Sequence, residues 1–217
     1  MSAYFVTGTG TGVGKTFTSC ALLHASGGAA RGYKPIISGW DKTPATDTAQ
    51  LIAVGGGAQT VDEVSPWRFW APLSPHRAAA QEGTEIPFAA LVEWSKARMA
   101  EATGLTLIEG VGGLMVPLDE QRTVLDWVVA LGAPAIVVTG SYLGSINHTL
   151  MTLALLKQAG VPVAALVMNE TAGSTVDFAE AQAGLMPFIE TIGLRVFQPL
   201  VSSWADATVI HAMVGKL

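Results

Sequence analysis

The sequence predicts an α/β fold: a mostly parallel sheet with helices on both faces. Three observations predict it. Apolar, β-prone runs alternate with helix-length runs along the chain, and that alternation implies crossover connections between parallel strands. The clearest strand candidate, Ala135-Ile136-Val137-Val138-Thr139, is apolar without interruption, the pattern of a strand covered on both faces. The first strand candidate runs straight into a glycine-rich stretch, then Lys-Thr, then a helix-forming run. The chain has 217 residues, half of them hydrophobic and only 13% charged. It is therefore read as one domain over 1–217 with room for a large core, and the apolar excess suggests a buried parallel sheet, a buried dimer surface, or both.

The elements follow in order. Residues 4–7 form the first strand and 17–24 the core of the first helix. Residues 32–37 form the second strand, followed by a polar loop over 38–46. A short helix over 47–54 is stopped by Gly55-Gly56-Gly57. Residues 62–74, crowded with prolines and aromatics, read as irregular loop. A helical turn or two over 75–81 precedes a longer helix over 87–102, with Pro87 in its first turn. A strand over 105–109 and a helix over 123–131 follow, and Gly132 is placed to stop that helix. After the strand at 135–139 come a helix over 145–159, a strand over 163–168 and a mostly helical stretch over 173–192 that Pro187 should kink or split. A strand at 195–199 and a helix over 205–214 complete the series.

The stretch Gly8-Thr9-Gly10-Thr11-Gly12-Val13-Gly14-Lys15-Thr16 lies between strand and helix, the context a phosphate loop requires. Its glycines let backbone N–H groups converge on a polyphosphate, and the helix N-terminus adds partial positive charge. Lys15 can reach the β- and γ-phosphates, and the Thr16 hydroxyl can ligate Mg²⁺. The loop is one residue longer than the usual form, because Gly8 comes one place early. An ordinary glycine-rich turn with an exposed lysine is the plain alternative. With the loop in place, the fold reads as a P-loop NTPase-like three-layer architecture.

Ligands of such sheets bind at the carboxyl ends of the strands. There the sequence offers Lys34 and Ser38, Glu109-Gly110-Val111-Gly112-Gly113, Thr139 to His148, and Asn169-Glu170. Glu109, closing an apolar strand, has the position of a Walker B acid that holds the metal, or else is a solvated strand end. Lys34 is a second cation for the crevice or a surface lysine. Lys15 and Lys34 are both expected at the surface of the crevice. Asp47 is a helix N-cap or a further Mg²⁺ contact. Asn169 reads a purine edge or sits in a turn, and His148 is read as a structural hydrogen-bonding residue. The net charge of −5 argues against nucleic acid or an anionic membrane as partner. Cys20, the one cysteine, excludes an intramolecular disulfide and reads as a small buried thiol. No apolar run reaches the roughly 18 residues a bilayer span needs, and no signal peptide is visible, so a cytoplasmic location is expected.

Together these residues resemble the dethiobiotin synthetase family, over Tyr4 to about Ala207. The lengthened loop Thr7 to Thr16 has the family's form. So do Gly32-Tyr33-Lys34-Pro35 with Ser38-Gly39, Ser74-Pro75-His76 with Ala80-Gln81-Glu82-Gly83, Glu109 to Gly113, and Leu143-Gly144-Ser145-Ile146-Asn147-His148. The resemblance implies a cyclo-ligase of biotin biosynthesis. It would carboxylate 7,8-diaminononanoate with CO₂, use MgATP to form a carbamic–phosphoric anhydride, and close the ring to dethiobiotin. It implies Lys34, Lys15 and Thr11 as catalytic residues. Ser38, Gly113, Gly144, Ser145 and Asn147 are implied as substrate contacts, the last three reaching the diamine of the neighbouring subunit of a homodimer. Gly12, Val13, Gly14, Lys15, Thr16, Phe17, Asp47, Glu109, Gly110, Val111, Gly112, Asn169, Glu170, Pro199, Leu200 and Val201 would hold the nucleotide, and Thr16, Asp47 and Glu109 the Mg²⁺. Gly12 departs from members that carry an acidic residue there. A ParA/MinD-like nucleotide switch is the second reading, although positions 9–13 lack the earlier loop lysine of those proteins. A non-catalytic nucleotide-binding module is the third.

Overall fold

The computed structural model describes residues 3–41, 43, 46–191 and 196–197. Six strands make the main sheet: β1 (Ala3–Gly8), β2 (Arg31–Tyr33), β5 (Thr106–Gly113), β6 (Ala135–Gly140), β7 (Val163–Asn169) and β8 (Val196–Phe197). Their order is β2-β5-β1-β6-β7-β8, and every pairing is parallel. A separate two-stranded parallel sheet joins β3 (Ile36–Ser38) to β4 (Trp67–Phe69). The helices are α1 (Lys15–Ser26), α2 (Asp47–Val54), α3 (Val61–Val64), α4 (Pro75–Gln81), α5 (Phe88–Ala100), α6 (Val124–Leu131), α7 (Ser145–Gln158) and α8 (Phe178–Thr191).

Alternate residues of each strand serve opposite faces, so one apolar strand feeds two cores. Phe5, Ile108, Val137 and Leu166 join Trp127, Leu156 and Leu185 on the face covered by α5 to α8. Tyr4, Val6, Leu107, Ile136, Val138 and Val167 join Leu22, Leu23 and Leu51 on the face covered by α1 and α2. Trp127, fully buried, meets Phe5 edge-on with ring centroids 4.8 Å apart. At the C-terminus of α6, Gly132 takes φ 68°, the left-handed cap that stops the helix.

The expected strand over 32–37 is two strands in two sheets. Pro35 has no N–H to continue a ladder, so the chain leaves the main sheet after Tyr33. Lys34 N–H donates to the Val64 carbonyl (3.0 Å), the Pro35 carbonyl accepts from Trp67 N–H (3.0 Å), and Ile36 begins the new pairing. The stretch over 62–74, expected as loop, supplies most of α3 and all of β4. α3 begins in a capping box between Thr60 and Glu63. Residues 173–177 precede α8 rather than belonging to it, and α8 runs as one element through Pro187. Pro199, Leu200 and Val201, and the helix expected over 205–214, lie outside the described residues.

Candidate active site

Strand register gathers the polar residues. β1 sits at the centre, and its exit leads into the glycine loop and α1. The pairing of β1 with β5 is regular up to Val6–Glu109 and resumes only at Gly8–Gly113. Between those pairs Gly110, Val111 and Gly112 stand opposite Thr7 alone, an excess of two residues, so β5 bulges beside the loop. Tyr33 pairs with Ile108, which sets Lys34, just past the end of β2, beside Glu109 in the middle of β5. Gly140 pairs with Asn169 on the other side.

The buried Glu109 carboxylate is the hub. Its Oε1 accepts from Thr16 Oγ1 (2.7 Å) and Lys34 Nζ (2.9 Å), and its Oε2 from Ser19 Oγ (2.7 Å). Lys34 also donates to Asp47, so one ammonium bridges two carboxylates. Lys15 Nζ donates to the Gly10 carbonyl at 2.8 Å. Burial alone would lower the Lys34 pKa, but Glu109 and Asp47 outweigh it and hold the ammonium above its ordinary value. Burial likewise opposes the charge of Asp47, and Lys34 outweighs it, so Asp47 lies below the usual carboxylate range. For Lys15 burial wins, and its pKa falls to about 8 despite Glu109. Burial, reinforced by Glu109, pushes the Cys20 thiol to about 12, so it is an inert packing residue.

A cleft of about 890 Å³ opens above this network. Thr11, Gly12, Gly14, Lys15, Thr16, Phe17, Lys34, Ser38, Asp47, Val111 and Gly112 line it, with Ile37, Gln50 and 72–75 as further walls. That volume suits a ligand of nucleotide size. Lys15 and Lys34 both line the cleft, as expected, yet each is only 7% exposed: Lys34 is paired with Asp47 and Glu109, and the Lys15 ammonium bonds the Gly10 carbonyl.

Asn169 lies beneath the loop. Its Nδ2 donates to the Val13 carbonyl at 2.8 Å and approaches Gly14 O and Thr18 Oγ1 at 3.3 Å. Its Oδ1 is buried with no hydrogen-bond partner among the described residues. Gly14 has φ 88°, and a Cβ there would stand 2.4 Å from Asn169 Nδ2, so this position requires glycine twice over. Gly113 packs its backbone against Gly8 and Gly10, and Gly110 against the Phe5 ring. Val13 is buried behind the loop, and Glu170 is exposed beyond β7.

Gly144, Ser145 and Asn147 do not line this cleft. They start α7, where Gly144 and Asn147 are exposed and Ser145 is buried. His148 is the structural hydrogen bonder expected, its Nδ1 lying 2.9 Å from Tyr142 OH. Sequence reasoning missed Ser19, the second hydroxyl on Glu109. The signal was its spacing: Thr16 and Ser19 are three apart in α1 and share a face.

The donor set fits Mg²⁺. A cation, the Lys34 ammonium, already lies between the carboxylates of Asp47 and Glu109, and Thr16 adds a hydroxyl to Glu109. Among the described residues no group of three or more His, Cys, Asp or Glu could hold a metal. Hard oxygen ligands completed by phosphate and water are the Mg²⁺ pattern.

A family model described as an AAA domain matches residues 2–197. The ATP-dependent dethiobiotin synthetase of Caulobacter sp. strain K31 is 43% identical, over 99% of this chain and 96% of its own length. The chain belongs to the dethiobiotin synthetase family. The Anaeromyxobacter dehalogenans member is 37% identical over 95% of each chain. Membership makes the protein an enzyme, a ligase of an ATP-dependent family.

Solved structures similar in shape include the cell division ATPase MinD of Pyrococcus furiosus (TM-score 0.52, 16% identity, 100% of this chain and 99% of that one). The MinC:MinD complex of Aquifex aeolicus is another (TM-score 0.55, 10% identity, 98% and 86%). At such identities these neighbours show the shared fold alone, the three-layer P-loop architecture. The switch-ATPase reading has no support beyond it.

Proposed function

We propose that this enzyme carboxylates 7,8-diaminononanoate with CO₂ and closes the ureido ring to give dethiobiotin, with ATP converted to ADP and phosphate. The observation that carries the reading is the convergence of Lys15, Lys34, Thr16 and Asp47 on one cleft above Glu109, in a member of this synthetase family. One amine of the substrate forms a carbamate. A carbamate oxygen takes the γ-phosphoryl group, and the second amine attacks the carbonyl, closing the ring and releasing phosphate. That last attack is intramolecular, so holding the two ends together supplies much of the rate.

Lys15 and the loop N–H groups bind the phosphates. Lys34, held protonated by its carboxylates, offers positive charge to the carbamate and the transferring phosphoryl. Thr11 and Ser38, on the cleft wall, contact the reacting end of the substrate. Mg²⁺ held by Thr16, Asp47 and Glu109 would neutralise phosphate charge. Asn169 is proposed to read the adenine amino group with its Oδ1, which no described residue engages. Glu170 and residues 199–201 are proposed to close over the base. The proposed assembly is a homodimer whose Gly144, Ser145 and Asn147 reach the neighbouring site, while Gly113, beside the loop, contacts substrate in its own site. Leu143, 84% exposed beside that loop, is consistent with burial in such a contact.

The test is ADP release by purified protein with MgATP and bicarbonate, with and without the diamine. Strict dependence on the diamine, with dethiobiotin detected by mass spectrometry, is expected. Hydrolysis indifferent to the diamine would sink the proposal.

A further inference from the structure

Four hydroxyls and an imidazole form a continuous chain between the phosphate loop and α7. Thr9, the residue within the lengthened part of the loop, donates its N–H to the Val138 carbonyl at 2.9 Å. Its hydroxyl lies 3.2 Å from Thr139 Oγ1 and 3.3 Å from Tyr142 OH. Tyr142 OH lies 2.9 Å from His148 Nδ1. At the other end Thr139 Oγ1 lies 2.8 Å from Thr149 Oγ1, which lies 2.7 Å from the Ser145 carbonyl oxygen. Thr139 and Thr149 are fully buried, so water does not compete there. The proposed reaction uses none of the side chains of Thr9, Thr139, Tyr142, His148 and Thr149.

Counting protons gives the chain a direction. A hydroxyl has one proton, and a carbonyl has none to give. Thr149 must therefore donate to Ser145 and accept from Thr139. Thr139 then accepts from Thr9, and Thr9 accepts from Tyr142. With its proton committed to Thr9, the Tyr142 oxygen accepts from His148, which requires a proton on Nδ1.

We propose that Tyr142 and His148 are positioning residues of the phosphate loop: His148 donates from Nδ1 to Tyr142, and this one-way chain fixes Thr9 and the loop that binds the nucleotide. The inference rests on the phosphate-loop reading of the site, and it is independent of the ring-closing chemistry. It also gives the extra loop residue a purpose, because Thr9 is the residue through which the loop is tied to β6 and α7.

Nitrogen NMR of the imidazoles in the full chain reads the first half directly. At a pH where the ring is neutral, His148 is expected as the Nδ1–H tautomer. A neutral ring protonated only on Nε2 overturns the proposal. Calorimetric titration with ADP reads the second half. Tyr142→Phe and His148→Leu are expected to weaken ADP by about three- to tenfold, the scale of one lost hydrogen bond, and to raise KM for ATP more than they change kcat. His148→Asn, whose amide N–H can stand where Nδ1–H stood, is expected to keep wild-type affinity. Unfolding midpoints of all variants separate lost affinity from lost fold. Equal ADP affinity in the wild type, Tyr142→Phe and His148→Leu overturns the positioning role. A wild type that binds no ADP overturns the phosphate-loop reading instead, and the tautomer still decides the chain.

Discussion

Lys15 is the residue whose charge state is most open to experiment. Burial depresses its pKa to about 8, with Glu109 opposing and Lys34 adding to the shift. Phosphate binding needs the ammonium. Above that pH the free protein holds a neutral lysine, so nucleotide binding must first take up a proton. The apparent affinity for ADP should therefore fall about tenfold per pH unit above 8, and calorimetry in buffers of different ionisation enthalpy should detect the proton uptake. Affinity flat from pH 7 to 10 would mean that Lys15 stays charged in the free site. Gly14 is the second sensitive residue. Gly14→Ala meets both the left-handed φ of 88° and Asn169 Nδ2 at 2.4 Å. It is expected to cost about 1–2 kcal/mol in urea unfolding and to weaken ADP by more than tenfold, because Asn169 must leave its bond to the Val13 carbonyl.

The element scale explains why Lys34 is buried and what removing it does. β2 runs in register with β5 to its last pair, Tyr33–Ile108, so Lys34 and Glu109 are set side by side by strand pairing, and α2 brings Asp47 to the same ammonium. Lys34→Met keeps the aliphatic stem but leaves the buried Glu109 carboxylate without its cation. Turnover should be lost, and stability should drop by about 3 kcal/mol. Neutralising the partner as well, in Lys34→Met/Glu109→Gln, should recover most of the stability and none of the activity. A double variant no more stable than the single one would show that the drop comes from packing rather than charge. The same elements show what a sequence reveals. The spans of α2 and α4 were legible, because the polar loop before Asp47 and Pro75 after Ser74 mark starts. But the N-cap of α2 is Thr46, whose hydroxyl accepts from Ala49 N–H, and Asp47, read as a possible cap, is the first helical residue. β3 and β4 were not legible. Each has three residues, too short for a periodicity, and they pair with each other across a connection that no local pattern marks. Ser19 was missed for a related reason: on a helix rich in small and apolar residues, a serine looks like packing until the opposing Glu109 is known.

At the scale of the molecule, the site is built from pieces that are far apart in the chain. The loop after β1, Lys34 after β2, Glu109 on β5 and Asn169 on β7 meet only because the strand order β2-β5-β1-β6-β7-β8 brings their carboxyl ends to one edge. The motifs were legible because each is local, whereas their distances depend on register and on the bulge in β5, which no motif encodes. A ligand that touches several of these pieces must therefore stabilise the whole fold, not one loop. At a hundred times its Kd, MgADP should add about 2.7 kcal/mol to the free energy of unfolding. For a chain of this size that corresponds to a rise of about 5–11 °C in Tm. Asn169→Ala removes the tie between β7 and the loop, and with it the acceptor proposed for adenine. Its own Tm should fall, and its nucleotide-induced rise should shrink more for ADP than for GDP. A rise unchanged by the substitution would remove Asn169 from the nucleotide site and leave it as a structural strut beneath Gly14.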